Sequence, residues 1–168
     1  NFLRPNIMSL SSPHPLWLHA GSPFEVRKAV ISARMLSGRY RTDLLSKHWV
    51  KENPDGLCRL PGCSGQEGSL HHILLSCPAL ADSRAGMIRM WSSFMVSKPA
   101  LLVVVKEYTI EQEELFMQFL LDPSCLPLVL ASSKTDPDIL KHCLFLSRTW
   151  CFSAHLARSK IMKQLQLR

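Results

Sequence analysis

Long hydrophobic runs are missing from this chain of 168 residues. The longest apolar stretch runs from Ala100 to Val105, whereas roughly 18 apolar residues are needed to span a bilayer. The chain also begins without an initiator methionine and without the charged-then-apolar pattern of a signal peptide. We therefore expect no membrane anchor and a chain that is a piece of a longer polypeptide. Cysteine spacing that favours metal over disulfides, together with the composition, indicates a location in the nucleus or cytoplasm.

The residue patterns of common active sites are missing as well. No paired carboxylates stand in a recognisable catalytic motif, and neither Cys77 nor Cys151 lies in a motif that marks a nucleophile. A hydrolytic enzyme such as a Cys–His protease remains an alternative, but it has no motif behind it. We expect no polymerase, nuclease or protease activity from this chain alone.

Metal-ligand spacing is the most specific feature that the sequence does have. Cys58, Cys63, His72 and Cys77 follow the order C-x4-C-x8-H-x4-C. A loop rich in Gly and Pro can turn the first two thiols toward one point, and a short helix capped by Ser69 would hold the histidine above it. Zn²⁺ takes four such ligands in a tetrahedron, so the pattern predicts a structural zinc site. Buried free thiols are the alternative, because free Cys is among the most buried residue types.

Two points in the cysteine and histidine pattern stay open. His71 competes with His72 for the third ligand position, but its separation from the last cysteine is six residues, which favours His72. Cys151 and His155 lie four residues apart and suggest a second metal site with Cys143. No Gly/Pro loop supplies the missing ligands there, and core thiols explain these cysteines as well.

Helix signals recur along the chain, and they predict a mainly α fold. Ser22 to Glu25 forms a capping box that starts a helix over about 23–37, and Thr42 caps a second helix from Asp43 to about Lys51. Further helices are predicted over 81–95, from about 109 to a break at Asp122-Pro123, and from a cap at Asp136 to about 165, whereas 101–105 is a candidate strand. We expect a helical domain with a small zinc-stabilised loop–helix insert and a long C-terminal helix. Its predicted parts are a linker from an upstream region over 1–21, one helical domain over 22–165 that contains the zinc segment 54–80, and a tail over 166–168.

Charge is concentrated at the two ends of the chain. The net charge is +7, divided into +5 for residues 1–52, 0 for 53–96, −4 for 97–140 and +6 for 141–168. This distribution favours basic ends that contact a polyanion or form one electrostatic groove. A solvated basic surface is the alternative.

Cations and aromatic rings are interleaved near the N-terminal end, as in proteins that bind single strands. Tyr40, His48 and Trp49 are rings that could stack on a base, although Trp49 is equally well explained as a core residue. The candidate nucleic-acid contacts are Arg34, Arg39, Arg41, Lys47, Arg148, Arg158 and Lys160.

The order of these motifs resembles that of a known family. The run from Met35 to Asp43, then Lys47-His48-Trp49, then the zinc signature ending at Leu80, closely resembles the region downstream of the polymerase in non-LTR (LINE-type) retrotransposon reverse transcriptases. Ser147 to Trp150 is similar to that family's tail, and the resemblance covers most of the chain from about residue 14.

The resemblance implies a non-catalytic module of a multidomain reverse transcriptase. Such a module helps to hold element RNA and target DNA during target-primed reverse transcription, beside an upstream polymerase domain of the same chain that carries the catalytic carboxylates. The alternative is a zinc-stabilised protein-interaction module that docks on the polymerase or on another partner.

Overall fold

The fold is built on a long C-terminal helix against which shorter helices pack. The structure is a computed structural model that describes residues 14–17, 20–47, 51, 53–97, 113–125, 127–136 and 138–166. Its α-helices are α1 (Pro23–Leu36), α2 (Asp43–Ser46), α3 (Ala81–Ser97), α4 (Glu113–Leu121), α5 (Pro127–Thr135) and α6 (Asp138–Gln166). Short 3₁₀ turns lie at Pro15–Trp17, Pro78–Leu80 and Pro123–Cys125, and a π-helix lies at His72–Ser76. The described residues contain no strand beyond an isolated bridge, so the predicted mainly α fold with a long C-terminal helix is confirmed.

Local capping sets the starts of the first two helices. The Ser22 side chain accepts a hydrogen bond of 3.2 Å from the Glu25 backbone N–H, and the Thr42 side chain does the same for α2 at 3.1 Å. Each cap satisfies a backbone donor that the first turn of a helix leaves open. The predicted start of both helices is thereby confirmed. Helix α2 ends at Ser46, and its predicted continuation runs into residues 48–50, which lie outside the described residues.

The core lies along one side of α6. Helices α1, α3, α4 and α5 all contact it, and its residues Cys143, Leu144, Trp150 and Cys151 are buried. The indole N–H of Trp150 donates to the Leu74 carbonyl at 3.4 Å, which joins α6 to the π-helix. Helix α6 has 29 residues, but neither it nor another described helix is long and apolar enough to cross a membrane.

The chain between α4 and α6 follows the predicted break and cap. Helix α4 ends just before Asp122, whose carboxylate accepts a 3.1 Å hydrogen bond from the Ser124 N–H. The Asp136 carboxylate accepts the Asp138 N–H at 3.1 Å and caps α6 as predicted. Helix α5 lies between these points and was not predicted. The candidate strand at 101–105 and the predicted helix start near 109 lie outside the described residues.

Residues 14–17 fall in the stretch predicted as a linker, yet they pack into the helical domain. The Leu16 side chain is 1% exposed, and the Leu16 carbonyl accepts a hydrogen bond of 3.2 Å from Arg148. His14 Nε2 lies 3.2 Å from Asp122 Oδ2. Residues 14–17 are therefore part of the packed domain.

Candidate metal centre and arginine groove

The four predicted metal ligands lie together. The ligand atoms of Cys58, Cys63, His72 and Cys77 all lie within 4.8 Å of one another, and all four residues are buried. Cys63 Sγ lies 3.4 Å from Cys77 Sγ, whereas two thiolates on one tetrahedral zinc ion are about 3.8 Å apart. Small movements are thus enough to place one ion at the centre. This group, called the metal cluster below, could hold a metal ion.

A tight loop delivers the first two cysteines of the cluster. Leu57 pairs with Glu67 in an antiparallel bridge, and the Cys58 N–H donates to the Gln66 carbonyl at 2.8 Å. Inside the loop, the Cys63 N–H donates to the carbonyl of Leu60 at 3.3 Å. These bonds join the two ends of the loop and fold Cys63 back toward Cys58.

The π-helix delivers the histidine and sets its distance from the last cysteine. The Ser69 hydroxyl accepts a hydrogen bond of 3.1 Å from the His72 N–H, so Ser69 acts as the predicted cap. The Cys77 N–H donates to the His72 carbonyl at 2.7 Å, which is the five-residue bond of a π-helix. Cys77 itself, with φ −59° and ψ 117°, has left the helical region as expected before Pro78. The wide turn explains the five-residue spacing between the two ligands.

The two ring nitrogens of His72 have different surroundings. Nδ1 lies 3.1 Å from the Ser76 hydroxyl, whereas Nε2 is buried without a hydrogen-bond partner among the described residues. A buried nitrogen without a partner is costly, and a metal ion at the cluster would supply the missing interaction while the Ser76 contact orients the ring. Burial and the nearby Arg84 lower the pKa of His72, which favours the neutral imidazole that binds metals. The residues present therefore fit a metal ion, and the cluster contains His72 rather than His71.

Cys58 and Cys77 favour the protonated thiol unless a cation is present. Burial raises the pKa of Cys58 to about 12 and also raises the pKa of Cys77. A coordinated metal ion deprotonates such thiols, so metal binding at this cluster would release protons.

The suggested second metal site is not formed. Burial raises the pKa of Cys143 and of Cys151 to about 12, and both are thiols of the core. His155 Nδ1 lies 3.1 Å from the Tyr40 hydroxyl instead. Within the part of the chain that the structure describes, the metal cluster is the one group able to hold a metal ion.

A groove lined by five arginines lies beside the metal segment. It has a volume of about 560 Å³, and residues from distant parts of the chain line it. None of the described lining residues is acidic, and Ile31, Tyr40, His155 and Met162 contribute apolar and aromatic surface. The five arginines, which define the arginine groove below, are Arg34, Arg39, Arg41, Arg59 and Arg158.

Asp43 lies behind the groove and joins its parts. Its side chain is fully buried, and its Oδ1 accepts a 2.8 Å hydrogen bond from Nε of Arg59 in the metal loop. Its Oδ2 lies 3.3 Å from Nη2 of Arg158 on α6, an ion pair without hydrogen-bond geometry, and Arg158 Nη1 donates to the Arg41 carbonyl at 3.2 Å. Five arginines and one buried aspartate give a charge of +4. The role of Asp43 was not predicted, although the sequence carries a signal for it, an acidic residue directly after the Thr42 cap.

Close backbone contacts seat the metal segment on α2. The Leu44 N–H donates to the Gly68 carbonyl at 3.1 Å, and the Gly68 N–H donates to the Gly56 carbonyl at 2.9 Å. A Cβ at Gly68 would lie 2.5 Å from Cβ of Asp43, and one at Gly56, where φ is +69°, would lie 3.0 Å from Cα of Leu44. Neither glycine leaves room for a side chain, so these contacts fix the segment beside Asp43.

The other predicted nucleic-acid contacts do not line the groove. Lys160 is exposed and Lys47 is half-buried, and neither lines the groove. Arg148 is 2% exposed and donates to the backbone carbonyls of Leu144 and Leu16, each at 3.2 Å. A phosphate group cannot reach it, so Arg148 is a core residue and not a surface contact. His48 and Trp49 lie outside the described residues.

Comparison of the chain with protein-family models, with curated proteins and with solved structures finds no match. The family resemblance therefore stays a prediction from the sequence motifs. The two sites are interpreted from their own geometry.

Proposed function

We propose that this chain is a non-catalytic, zinc-binding module that binds RNA or DNA, and that it comes from the C-terminal region of a LINE-type retrotransposon reverse transcriptase. The observation that carries the proposal is the arginine groove, in which cations from both basic ends of the sequence meet beside the metal cluster. In such an enzyme the module helps to hold element RNA and target DNA during target-primed reverse transcription. The polymerase domain upstream would carry the catalytic residues.

Zinc is the metal that suits the cluster best. Three thiols and one imidazole form a Cys₃His set, which is typical of structural zinc sites. All four ligand residues are buried, so no open coordination position faces a substrate. These features favour a structural ion that stabilises residues 54–80 over a catalytic one.

The charge and shape of the groove favour a phosphate backbone as its ligand. Guanidinium groups bind phosphate oxygens through paired, charge-assisted hydrogen bonds. Arg34, Arg39 and Arg41 are exposed in the groove, and the buried Asp43 offsets only part of the positive charge. Burial, together with Arg158 and Arg34, lowers the pKa of His155, so at neutral pH the charge of the groove comes from its arginines.

The motif behind the family resemblance is a structural unit, which supports the proposal. In the run from Gly38 to Asp43, Thr42 caps α2 and Asp43 joins the metal loop to α6. Arg39 and Arg41 of the same run line the groove. Six adjacent residues thus connect the proposed zinc site to the proposed phosphate site.

An aromatic patch on α1 and α6 favours the second candidate, a protein-interaction module. Phe24 is 53% exposed and lies edge-on to Phe152, with ring centroids 5.4 Å apart. Lys28 Nζ lies over Phe24 at 4.7 Å and over Phe145, which is 37% exposed, at 4.8 Å. Exposed aromatic side chains of this kind are common in docking surfaces.

Binding at two salt concentrations separates the two candidates. Zinc-loaded protein is titrated with single-stranded RNA and with nicked duplex DNA. If phosphates occupy the groove, affinity falls steeply as salt rises, because bound cations are released from the nucleic acid. An apolar docking surface would give no such salt dependence.

A charge-reversal pair then locates the contact. Replacing Arg39 and Arg41 with Glu should weaken binding to all sequences alike and flatten the salt dependence by about one phosphate contact per side chain. Arg27→Glu combined with Arg89→Glu is the matched control, because both arginines are exposed and neither lines the groove. Equal losses in the two double variants would contradict the groove as the binding site.

A further inference from the structure

We propose that metal binding and nucleic-acid binding are coupled in this protein, with Arg59 and Asp43 as the link. The inference rests on the proposed function and adds a regulatory property to it. Metal at the cluster strengthens the binding of single-stranded RNA in the arginine groove, and RNA strengthens the binding of metal.

A single strand is the ligand that fits the groove. Its volume of about 560 Å³ lies within the roughly 300–1,000 Å³ of pockets that enclose small-molecule ligands. A space of this size admits one or two nucleotides of a strand, but not the full width of a duplex. Its walls offer guanidinium groups for phosphates and the side chains of Ile31 and Met162 for a base or sugar.

Arg59 belongs to both sites. It directly follows Cys58, so its backbone is fixed whenever Cys58 is held by a metal ion. Its Nε lies 2.8 Å from Asp43 Oδ1, while 38% of its side-chain surface stays exposed in the groove. The conformation of the metal loop thus decides where this guanidinium group lies.

Asp43 transmits the state of the metal loop to the rest of the groove. Its two carboxylate oxygens face Arg59 and Arg158, and it is fully buried. A structural zinc ion supplies folding free energy to its own segment, so metal loss releases the loop and Arg59 with it. The groove then loses one of five arginines, while Asp43 keeps its negative charge beside Arg158. Both changes weaken phosphate binding.

Thermodynamic linkage makes this coupling reciprocal. If metal raises the affinity for RNA by some factor, RNA must raise the affinity for metal by the same factor. Coupling between two sites typically amounts to roughly 5- to 150-fold in affinity. We expect an effect of at least about fivefold here, because one groove cation depends directly on the loop.

The test measures zinc affinity by competition with a chromogenic chelator, with and without a saturating single-stranded RNA oligomer. Wild-type protein should bind zinc at least about fivefold more tightly when RNA is present. Arg59→Gln should still bind zinc, should bind RNA roughly tenfold more weakly, and should reduce the coupling to less than about twofold. Arg89→Gln is the control and should behave as wild type, because Arg89 is exposed and does not line the groove. If Arg59→Gln does not hold zinc, Arg59→Met replaces it, since methionine keeps much of the length of the side chain but has neither the charge nor the Nε contact.

The outcomes separate the coupling from the proposed function. RNA binding that leaves the zinc affinity of wild-type protein unchanged overturns the coupling, while the proposed function stands. Full coupling in the Arg59 variant overturns the route through Arg59. Zinc-loaded wild-type protein that binds no RNA overturns the coupling, and if it also binds no nicked duplex DNA, the proposed function is overturned as well.

Discussion

Asp43→Asn hardly changes the shape of the side chain, yet the structure predicts a large loss of stability from it. Asparagine has the size of aspartate but no charge, so Arg59 and Arg158 would face each other without the carboxylate between them. The Arg59 contact is 38% exposed on the arginine side and should contribute about 0.5–1 kcal/mol. The Arg158 side chain is 14% exposed and keeps its hydrogen bond to the Arg41 carbonyl in the variant. Loss of its ion pair with Asp43 should therefore cost about 2 kcal/mol, below the usual range for a fully buried pair.

Together with a smaller loss of charge at the start of α2, the free energy of unfolding should fall by about 3 kcal/mol. For a chain of this size that corresponds to a melting temperature lower by roughly 6–12 °C. Urea unfolding followed by circular dichroism, in excess zinc at about pH 7, measures the free energy of unfolding. Asp55→Asn is the matched control, because Asp55 is exposed in the loop before Cys58, and its effect should stay within about 0.5 kcal/mol.

A double variant tests the cause of the loss. Adding Arg59→Gln to Asp43→Asn should restore part of the stability, because one uncompensated guanidinium group is removed. An Asp43→Asn protein as stable as the Asp55→Asn control would refute the assignment of Asp43 as the link between loop and helix. Losses in the free energy of unfolding that simply add in the double variant would refute the same assignment, because they would show no interaction between Asp43 and Arg59.

Three further predictions concern the metal segment, its seat on α2 and the histidine of the groove. His72→Ala should abolish zinc binding and unfold residues 54–80, whereas His71→Ala should keep both; elemental analysis decides, and the opposite ranking would contradict the ligand assignment. Gly68→Ala should destabilise the fold by about 1–3 kcal/mol, because the new Cβ meets the side chain of Asp43. Gly86→Ala in α3 is the control, because its added Cβ has no neighbour closer than 3.9 Å, and it should be neutral or stabilise the fold by up to about 1 kcal/mol. Equal melting temperatures for the Gly68→Ala and Gly86→Ala proteins would show that the contact at Gly68 is not tight. Burial lowers the folded-state pKa of His155 below its unfolded value of about 6.5, so the unfolded chain binds more protons and the stability falls as the pH drops below about 6.5. His155→Gln should reduce this dependence of the free energy of unfolding on pH, measured from about pH 8 to about pH 5. Parallel curves of free energy against pH for the variant and the wild type would contradict this prediction.

Features encoded by short stretches of sequence were predictable. The caps Ser22, Thr42 and Ser69 each bond a backbone N–H three residues ahead, a relation that needs no tertiary information. The metal cluster was predictable for a similar reason, since the ligand types and their order restrict which residues can meet. The break at Asp122-Pro123 follows from the geometry of proline.

Features that depend on distant contacts were missed or misplaced. Arg148 looks like any basic residue on a helix, and its burial follows from backbone carbonyls that include Leu16, far away in the chain. Asp43 pairs with Arg158, whose position depends on how α6 packs. The π-helix at His72–Ser76 left one trace in the sequence, the five-residue spacing from His72 to Cys77, but helix type was not deduced from it.

The contacts around the metal segment mean that it is not a self-contained folding unit. Its Gly68 carbonyl accepts a bond from α2, its Leu74 carbonyl accepts the indole N–H of α6, and its Arg59 depends on Asp43. A synthetic peptide covering residues 54–80 would carry all four ligands but none of these partners, so we expect it to bind zinc more weakly than the whole chain and without a unique fold. Recombination that moved this stretch alone into another protein would lose them too. We therefore expect the stretch to fold as it does here only together with the helices that it contacts.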